Sequence, residues 1–229
     1  MTNLQRYWIG CGDLHGSAAQ VAVIPGIAGA QGVIVSGDIT TAGGLDVARR
    51  VIADVAAANG NIHAQIGNMD DHSVTDWLEA EGMNMHVRAR ELAPSAGLIG
   101  VGCSSPTPFG TPCEASEEQI AAWLDEAYAS ARDWDALLLV AHDPPFETAA
   151  DKLPGGMHVG SRAVREFIER VQPDVCLCGH IHEARAVDHI GATTIVNPGM
   201  LDNGGYAVIT LEDGHFSAEL RILGEESEG

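Results

Sequence analysis

The sequence predicts an α/β fold built on parallel strands, and three observations carry that prediction. Short apolar runs rich in β-branched residues alternate with segments of helical period along most of the chain. The run at 136–141, "ALLLVA", is almost wholly apolar, which is the pattern of a strand covered on both faces. Five of the runs finish in Asp, Asn or His, at the carboxyl ends where parallel sheets carry their sites.

Residues 7–11 form the first strand, and 31–36, "QGVIVS", the second, ended by Gly37. Between them, 17–24 predicts a helix with Ser17 as its cap. Leu45, Ala48, Val51, Ile52 and Val55 recur at helical spacing, so 44–58 is an amphipathic helix that stops near Asn59-Gly60. Residues 62–66 are the third strand, 73–81 a helix, and 85–93 and 97–103 are extended. Ser116 caps a helix through Ala131, with Glu118 and Gln119 near the capping-box position. After the apolar strand, Val164, Phe167, Ile168 and Val171 mark another helix, and 174–178 the strand that follows. The last part, with runs near 184–189, 192–196, 206–211 and 215–221, is dominated by strands. Two stretches, "CSSPTPFGTPC" (103–113) and "DPPFETAADKLPGGMHVGS" (143–161), are long and Pro/Gly-rich, the character of functional loops.

With 229 residues and 45% hydrophobic content, the chain suffices for one α/β domain over 1–224, leaving 225–229 as an acidic flexible tail. It contains no run of about 18 apolar residues, and residues 1–6 lack the layout of a secretory signal. A cytoplasmic protein without membrane partners is expected. The five cysteines are odd in number and lack zinc or thioredoxin spacing, so reduced core thiols are expected. The net charge of −20, with Lys152 the single lysine, repels nucleic-acid backbones and anionic lipid. The same acidity is a feature of proteins from salt-rich cytoplasm. Oligomeric state is left open.

The polar residues at the strand ends form the chemical pattern. "GDLHG" follows the first strand and carries Asp13 and His15, two apart and so on one side of an extended backbone. "SGDIT" supplies Asp38 and "GNMD" supplies Asn68; His142 follows "LLLVA", and "GHIH" brings His180 and His182. Any one of these has an ordinary reading as a helix cap, a turn residue or a core histidine. Seven together at strand ends point to a metal centre. His63, His72, His86, His189 and His215 lack that placement. Seven N/O donors exceed one tetrahedral site, so two ions sharing one carboxylate are implied. Imidazole, carboxylate and amide without thiolate suit Mn, Fe, Zn, Co or Ni, and Mn is the first choice. Two such ions outweigh Asp13 and Asp38, so an acidic protein can still bind an anion there.

In order, D-x-H, G-D, G-N-x-[DE], H and G-H-x-H resemble the signature of the calcineurin-like metallophosphoesterase superfamily. "SSPTPFGTP", "MHVGSRAVREFI" and "CLCGHIHEARA" are most similar to its small prokaryotic Icc-related phosphoesterases. The resemblance implies a four-layer α/β/β/α sandwich. It gives one ion Asp13, His15, Asp38 and His182, and the other Asp38, Asn68, His142 and His180, with Asp38 bridging. It implies a phosphoesterase in which a metal-bridging hydroxide attacks phosphorus in line, so Asp38, Asn68 and His142 serve catalysis as well as binding. Asp70 matches the acidic position and is expected to support the ligands from behind.

One departure from the pattern sharpens the expectation. Many members carry a proton-donating histidine where this chain has Met69, and such help contributes about 10²–10⁴-fold when a poor leaving group departs. A phosphodiesterase on a small molecule, with nucleotide derivatives among the candidates, is therefore expected in preference to a monoesterase. His158, in the Gly-rich loop, is a candidate proton source. The helix after it could present its N-terminus to an anion, and Arg162 is a candidate phosphate contact. Two other functions compete. A catalytically silent protein-binding scaffold of the same fold would have lost ligands, and none is lost. A nuclease would want a basic path and stacking aromatics, whereas only 5% of residues are aromatic.

Overall fold

The computed structural model describes residues 6–225; residues 1–5 and most of the expected tail, 226–229, lie outside the described residues. The elements in chain order are β1 (Arg6–Cys11), β2 (Val33–Val35), α1 (Gly44–Ala58), β3 (Ile62–Ala64), α2 (His72–Ala80), β4 (Arg88–Ala93) and β5 (Ala96–Val101). There follow α3 (Glu117–Ala129), β6 (Ala136–Ala141), α4 (Arg162–Val171), β7 (Val175–Leu177), β8 (Ala186–Ile190), β9 (Thr193–Asn197), β10 (Gly205–Glu212) and β11 (His215–Ile222). They make two sheets, ordered β11-β10-β1-β2-β3 and β4-β5-β6-β7-β9-β8. β1, β2 and β3 are parallel in the first, and β5, β6, β7 and β9 in the second.

Side-chain alternation along the strands stacks these parts into four layers. Val51, Val55 and Leu78 of the helices α1 and α2 pack on Ile9, Val33 and Val35 of the first sheet. Trp8, Ile34 and Ile209 turn the other way and meet Leu98, Leu138, Val140 and Leu177 between the sheets. Leu139 and Cys176 face outward to Leu124, Phe167 and Ile168 of α3 and α4. The fully apolar composition of β6 is thereby explained: Leu138 and Val140 serve the middle core, and Leu137 and Leu139 the outer one. The α/β/β/α sandwich expected from the resemblance is the fold observed. One buried polar residue also joins the sheets. Gln65, fully buried, donates its Nε2 to Ser36 O (3.1 Å), Val101 O (3.1 Å) and Val140 O (3.2 Å).

Helix ends follow their sequence signals. Asp71 caps α2 by accepting Ser73 N, Ser116 caps α3 through Gln119 N, and Asn59 turns extended to stop α1. Two expectations are corrected. The helix over 17–24 is replaced by two 3-10 turns, Val21–Val23 and Ile27–Gly29. Ala18, Val21, Ile24 and Ile27 are buried at a spacing of three, which a 3-10 path satisfies and an α-helix does not. Pro25 and the left-handed Gly26 (φ 81°) prevent the segment from continuing as one helix. The cysteines are also not all free, because Cys103 and Cys113 form a disulfide. The loop folds back on itself, with Ser104 N donating to Cys113 O and Ala115 N to Ser104 O, and sets their Cα atoms 5.0 Å apart. Cys11, Cys176 and Cys178 are free and buried, as expected.

Candidate metal centre

Backbone pairing extends beyond the strands and fixes the polar ends in register. Asp13 N donates to Gly37 O and His15 N to Asp38 O, so the β1 and β2 ends advance side by side. On the second sheet His142 N donates to Val101 O, and Gly179 N to His142 O. Cys103 N reaches Ile66 O, which ties the two sheets where their carboxyl edges meet. Asp13, His15, Asp38 and Asn68 come to this junction from the first sheet, and His142, His180 and His182 from the second.

The seven residues converge as two overlapping groups. One ligand atom from each of Asp13, His15, Asp38 and His182 falls within 4.8 Å of the others, and the same holds for Asp38, His142 and His180. Asn68 Oδ1 lies 3.0 Å from His142 Nε2 and so joins the second group. Asp38 belongs to both, and its two oxygens divide between them. Oδ1 is 3.4 Å from His142 Nε2, while Oδ2 is 3.6 Å from His15 Nε2. The Met69 backbone N–H holds Oδ1 at 2.8 Å. His15 Nδ1 sits 3.1 Å from Thr41 Oγ1, leaving Nε2 to face His182 Nε2 at 3.0 Å. The first group is the solvent side, with His182 33% exposed; the second is deep, with His142 fully buried.

The electrostatics of the cluster turn on its two buried carboxylates. Asp13 and Asp38 are buried, and among the described residues their ion-pair partners are imidazoles alone. Burial pushes the Asp13 carboxyl up, but the His182 hydrogen bond and the His142 and His15 rings outweigh it and hold the group below its usual range. Burial likewise opposes a charged His142, yet Asp38 and Asp13 raise it to about 9. Burial and the nearby His142 push His180 down to about 4. Buried carboxylates need nearby positive charge. Two divalent cations between these donors would supply it, and the donor set fits such ions.

The backbone is bent to the same end. Asp13 (φ 52°), His15 (φ 45°), Asp38 (φ 49°) and His180 (φ 67°) are all left-handed, a conformation that costs non-glycine residues about 1 kcal/mol or more each and gathers at functional sites. Gly67 packs against the Asp38 carboxylate and backbone and the His142 ring, leaving no room for a side chain. Asp70, fully buried, accepts Ile39 N (3.0 Å), Thr40 N (2.7 Å) and Gly67 N (2.9 Å). It thus stands behind the loops that carry Asp38 and Asn68.

The other anticipated residues lie in the loop after His142. His158 Nδ1 is 2.6 Å from Asp151 Oδ1. Arg162 is exposed and stacks its guanidinium on the Phe146 ring, 3.8 Å from the centroid. The expectation that the helix after His158 offers its N-terminus to an anion is overturned. The Glu117 carboxylate occupies that end of α4, accepting Arg162 N, Ala163 N and Ser161 Oγ. Sequence reasoning missed Glu117, because nothing local couples it to a helix so distant in the chain. It also missed Asn197, which ends β9 in the same way that the candidate ligands end their strands. Its Nδ2 reaches Ala150 O, Gly179 O and Ile181 O, bracketing His180.

Known proteins resemble this chain in sequence and in fold. Residues 123–219 match a family model described as metallophosphoesterase, calcineurin superfamily. The uncharacterized protein MJ1162 of Methanocaldococcus jannaschii is 35% identical over 195 residues, covering 83% of this chain and 86% of the relative. The crystal structure of TT1561 of Thermus thermophilus aligns with a TM-score of 0.71 at 17% identity, over 94% of this chain and 98% of that one. A putative 5'-nucleotidase from Staphylococcus aureus, solved with alpha-ketoglutarate, gives 0.59 at 15% identity, over 97% of this chain but 55% of that one. At these identities the two solved structures share the fold.

Proposed function

The chain belongs to the calcineurin-like metallophosphoesterase superfamily, and from that premise we propose that it hydrolyses small-molecule phosphoesters with two divalent transition-metal ions. The observation that supports this best is the division of the Asp38 oxygens between two groups of buried donors. Asp13, His15, Asp38 and His182 would hold one ion, and Asp38, Asn68, His142 and His180 the other. Manganese is the first choice, with Fe, Zn, Ni or Co as alternatives. Such ions lower the pKa of water and neutralise charge on phosphoryl oxygens.

The chain's own residues set the rest. The Met69 peptide fixes Asp38, while its thioether has no proton to give a departing oxygen. Position 69 thus supplies no proton, and phosphodiesters, nucleotide derivatives among them, are the proposed substrates, whereas nucleic acid is not. A cytoplasmic setting belongs to the same reading. It is supported by the free thiols Cys11, Cys176 and Cys178, with the Cys103–Cys113 bridge as the observation against it. Among the described residues, no helix is long and apolar enough to cross a membrane.

The test is metal analysis of protein purified without chelator, then turnover of bis(para-nitrophenyl) phosphate against para-nitrophenyl phosphate with Mn²⁺. Bound transition metal and faster diester cleavage are expected. Equal or better monoester turnover removes the diester preference. Absence of both bound metal and a Mn²⁺ response removes the metal-dependent reading and leaves the scaffold.

A further inference from the structure

We propose that His158, held by Asp151, is the proton donor to the leaving group; this rests on the phosphoesterase reading above. The Asp151 carboxylate is fully buried and takes Thr148 N (2.9 Å), Glu147 N (3.1 Å) and Gly160 N (3.0 Å) as well as His158 Nδ1. With both oxygens engaged, the carboxylate is fixed and can only accept, so Nδ1 carries the hydrogen and Nε2 is left for another partner. His158 remains 27% exposed, so that nitrogen is open to a solute. The Phe146 ring meets the imidazole edge-on, 6.2 Å between centroids, and limits its rotation.

Placement comes from Asn197. Its amide joins Ala150 O, the carbonyl just before Asp151, to Ile181 O, the carbonyl between His180 and His182. The 3-10 turn Ala149–Asp151 also packs on the turn His182–Ala184. The dyad is thus anchored to the solvent-facing half of the cluster, where a leaving group would depart. The seven ligand side chains are committed to cations, and Met69 has no ionisable proton. Asp70 and Asp143 also stand beside the cluster but are buried, whereas His158 is open to solvent and its orientation is set by Asp151 rather than by the ions. As a water oxygen bonds to phosphorus and gives up a proton to solvent, the bond from phosphorus to the leaving oxygen breaks and its electron pair takes the proton from Nε2 of the imidazolium. The ring becomes neutral, keeping its hydrogen on Nδ1 where Asp151 accepts it, and solvent returns a proton to Nε2.

The test uses the full metal-loaded chain and a pair of diesters that share the phosphoryl group but differ in leaving group, para-nitrophenolate against an alkoxide. His158→Ala should lower kcat about 10²-fold or more on the alkyl ester and only about threefold on the nitrophenyl ester. His158→Gln, whose amide can still donate to Asp151, should show the same split with the loop kept in order. Independently of turnover, diethylpyrocarbonate should modify His158 in the Zn²⁺-loaded protein, and inorganic phosphate should slow that reaction. Equal losses on the two esters, or no protection by phosphate, overturn the assignment while leaving the phosphoesterase reading intact. A wild type that hydrolyses neither ester overturns both.

Discussion

The Asp70 carboxylate accepts the backbone N–H of Thr40 at 2.7 Å, although the two residues follow different strands. Its other oxygen takes Ile39 N and Gly67 N. One buried side chain therefore clamps the loop carrying Asp38 to the loop carrying Asn68, and fixes these two donors of the deep group relative to each other. Burial and the Asp38 charge raise its pKa to about 6, against the pull of the three N–H donors. Among the described residues only backbone N–H groups hydrogen-bond to it, so methionine at position 69 does not disturb this role.

Replacing Asp70 with Ala leaves three buried donors without an acceptor. Each uncompensated group costs about 1–3 kcal/mol, and relaxation recovers part of it, so a net loss of about 3 kcal/mol is expected. Metal affinity should fall about 10–100-fold, as when a group that orients ligands is lost. Urea denaturation and Zn²⁺ titration of the same variant check the two effects together. Unchanged metal affinity in a folded variant would show that the clamp does not position the donors.

Gly67→Ala is the sharpest steric probe. A methyl group there meets the Asp38 carboxylate and backbone nitrogen and the His142 ring at once, and none of these is a flexible chain end. The variant should fold, because the outer cores lie elsewhere, and should lose most of one metal equivalent. Elemental analysis beside wild type decides it. Full metal content would mean that the cluster is looser than its packing implies.

What could be read from the sequence was whatever is local or periodic. α1 and β6 match their expected bounds because helical spacing in one and unbroken apolarity in the other leave little alternative. The seven strand-end donors were legible because a parallel strand delivers its last residues to a known edge. Residues 17–24 depart from the expected helix because apolar residues three apart lie close to the helical period, while Pro25 and the left-handed Gly26 confine the segment to short 3-10 turns. The Cys103–Cys113 bridge, the Glu117 cap on α4 and the Gln65 link between sheets all depend on tertiary approach. No spacing rule announces them.

Metal uptake should release protons and weaken as pH falls. Burial opposes a charged His142, but Asp38 and Asp13 prevail and keep it protonated up to about 9, so an ion must displace that proton. His180, pushed down to about 4 by burial, is already neutral and contributes nothing to this. The His142 proton alone makes affinity change about tenfold per pH unit, and His182, held above its usual range by the Asp13 hydrogen bond, adds to it, so Zn²⁺ binding should weaken at least about 100-fold from about pH 8 to about pH 6. Calorimetry in two buffers of different ionisation heat counts the protons. An affinity independent of pH would sink the account.

Stability should also fall on acidification, through two histidines outside the metal centre. His86 Nδ1 accepts the Gly102 N–H at 2.9 Å, which requires an unprotonated nitrogen, and burial followed by His72 and Arg88 pushes its pKa down to about 4. Burial and Arg90 lower His63 to about 4 as well. Between that value and the unfolded value of 6.5, the unfolded chain binds more protons than the folded one. Stability is therefore full above the unfolded value and drains away as pH falls toward 4. The shifts correspond to about 3 kcal/mol each, and partial exposure reduces this to on the order of 1–2 kcal/mol per residue. His86→Gln keeps an acceptor for Gly102 without a titrating group. In metal-stripped protein its urea midpoint should drop less than that of wild type between about pH 7 and about pH 4.5. Comparing the two slopes removes the contribution of the metal-site residues, which both proteins share, so identical slopes would mean that His86 titrates normally.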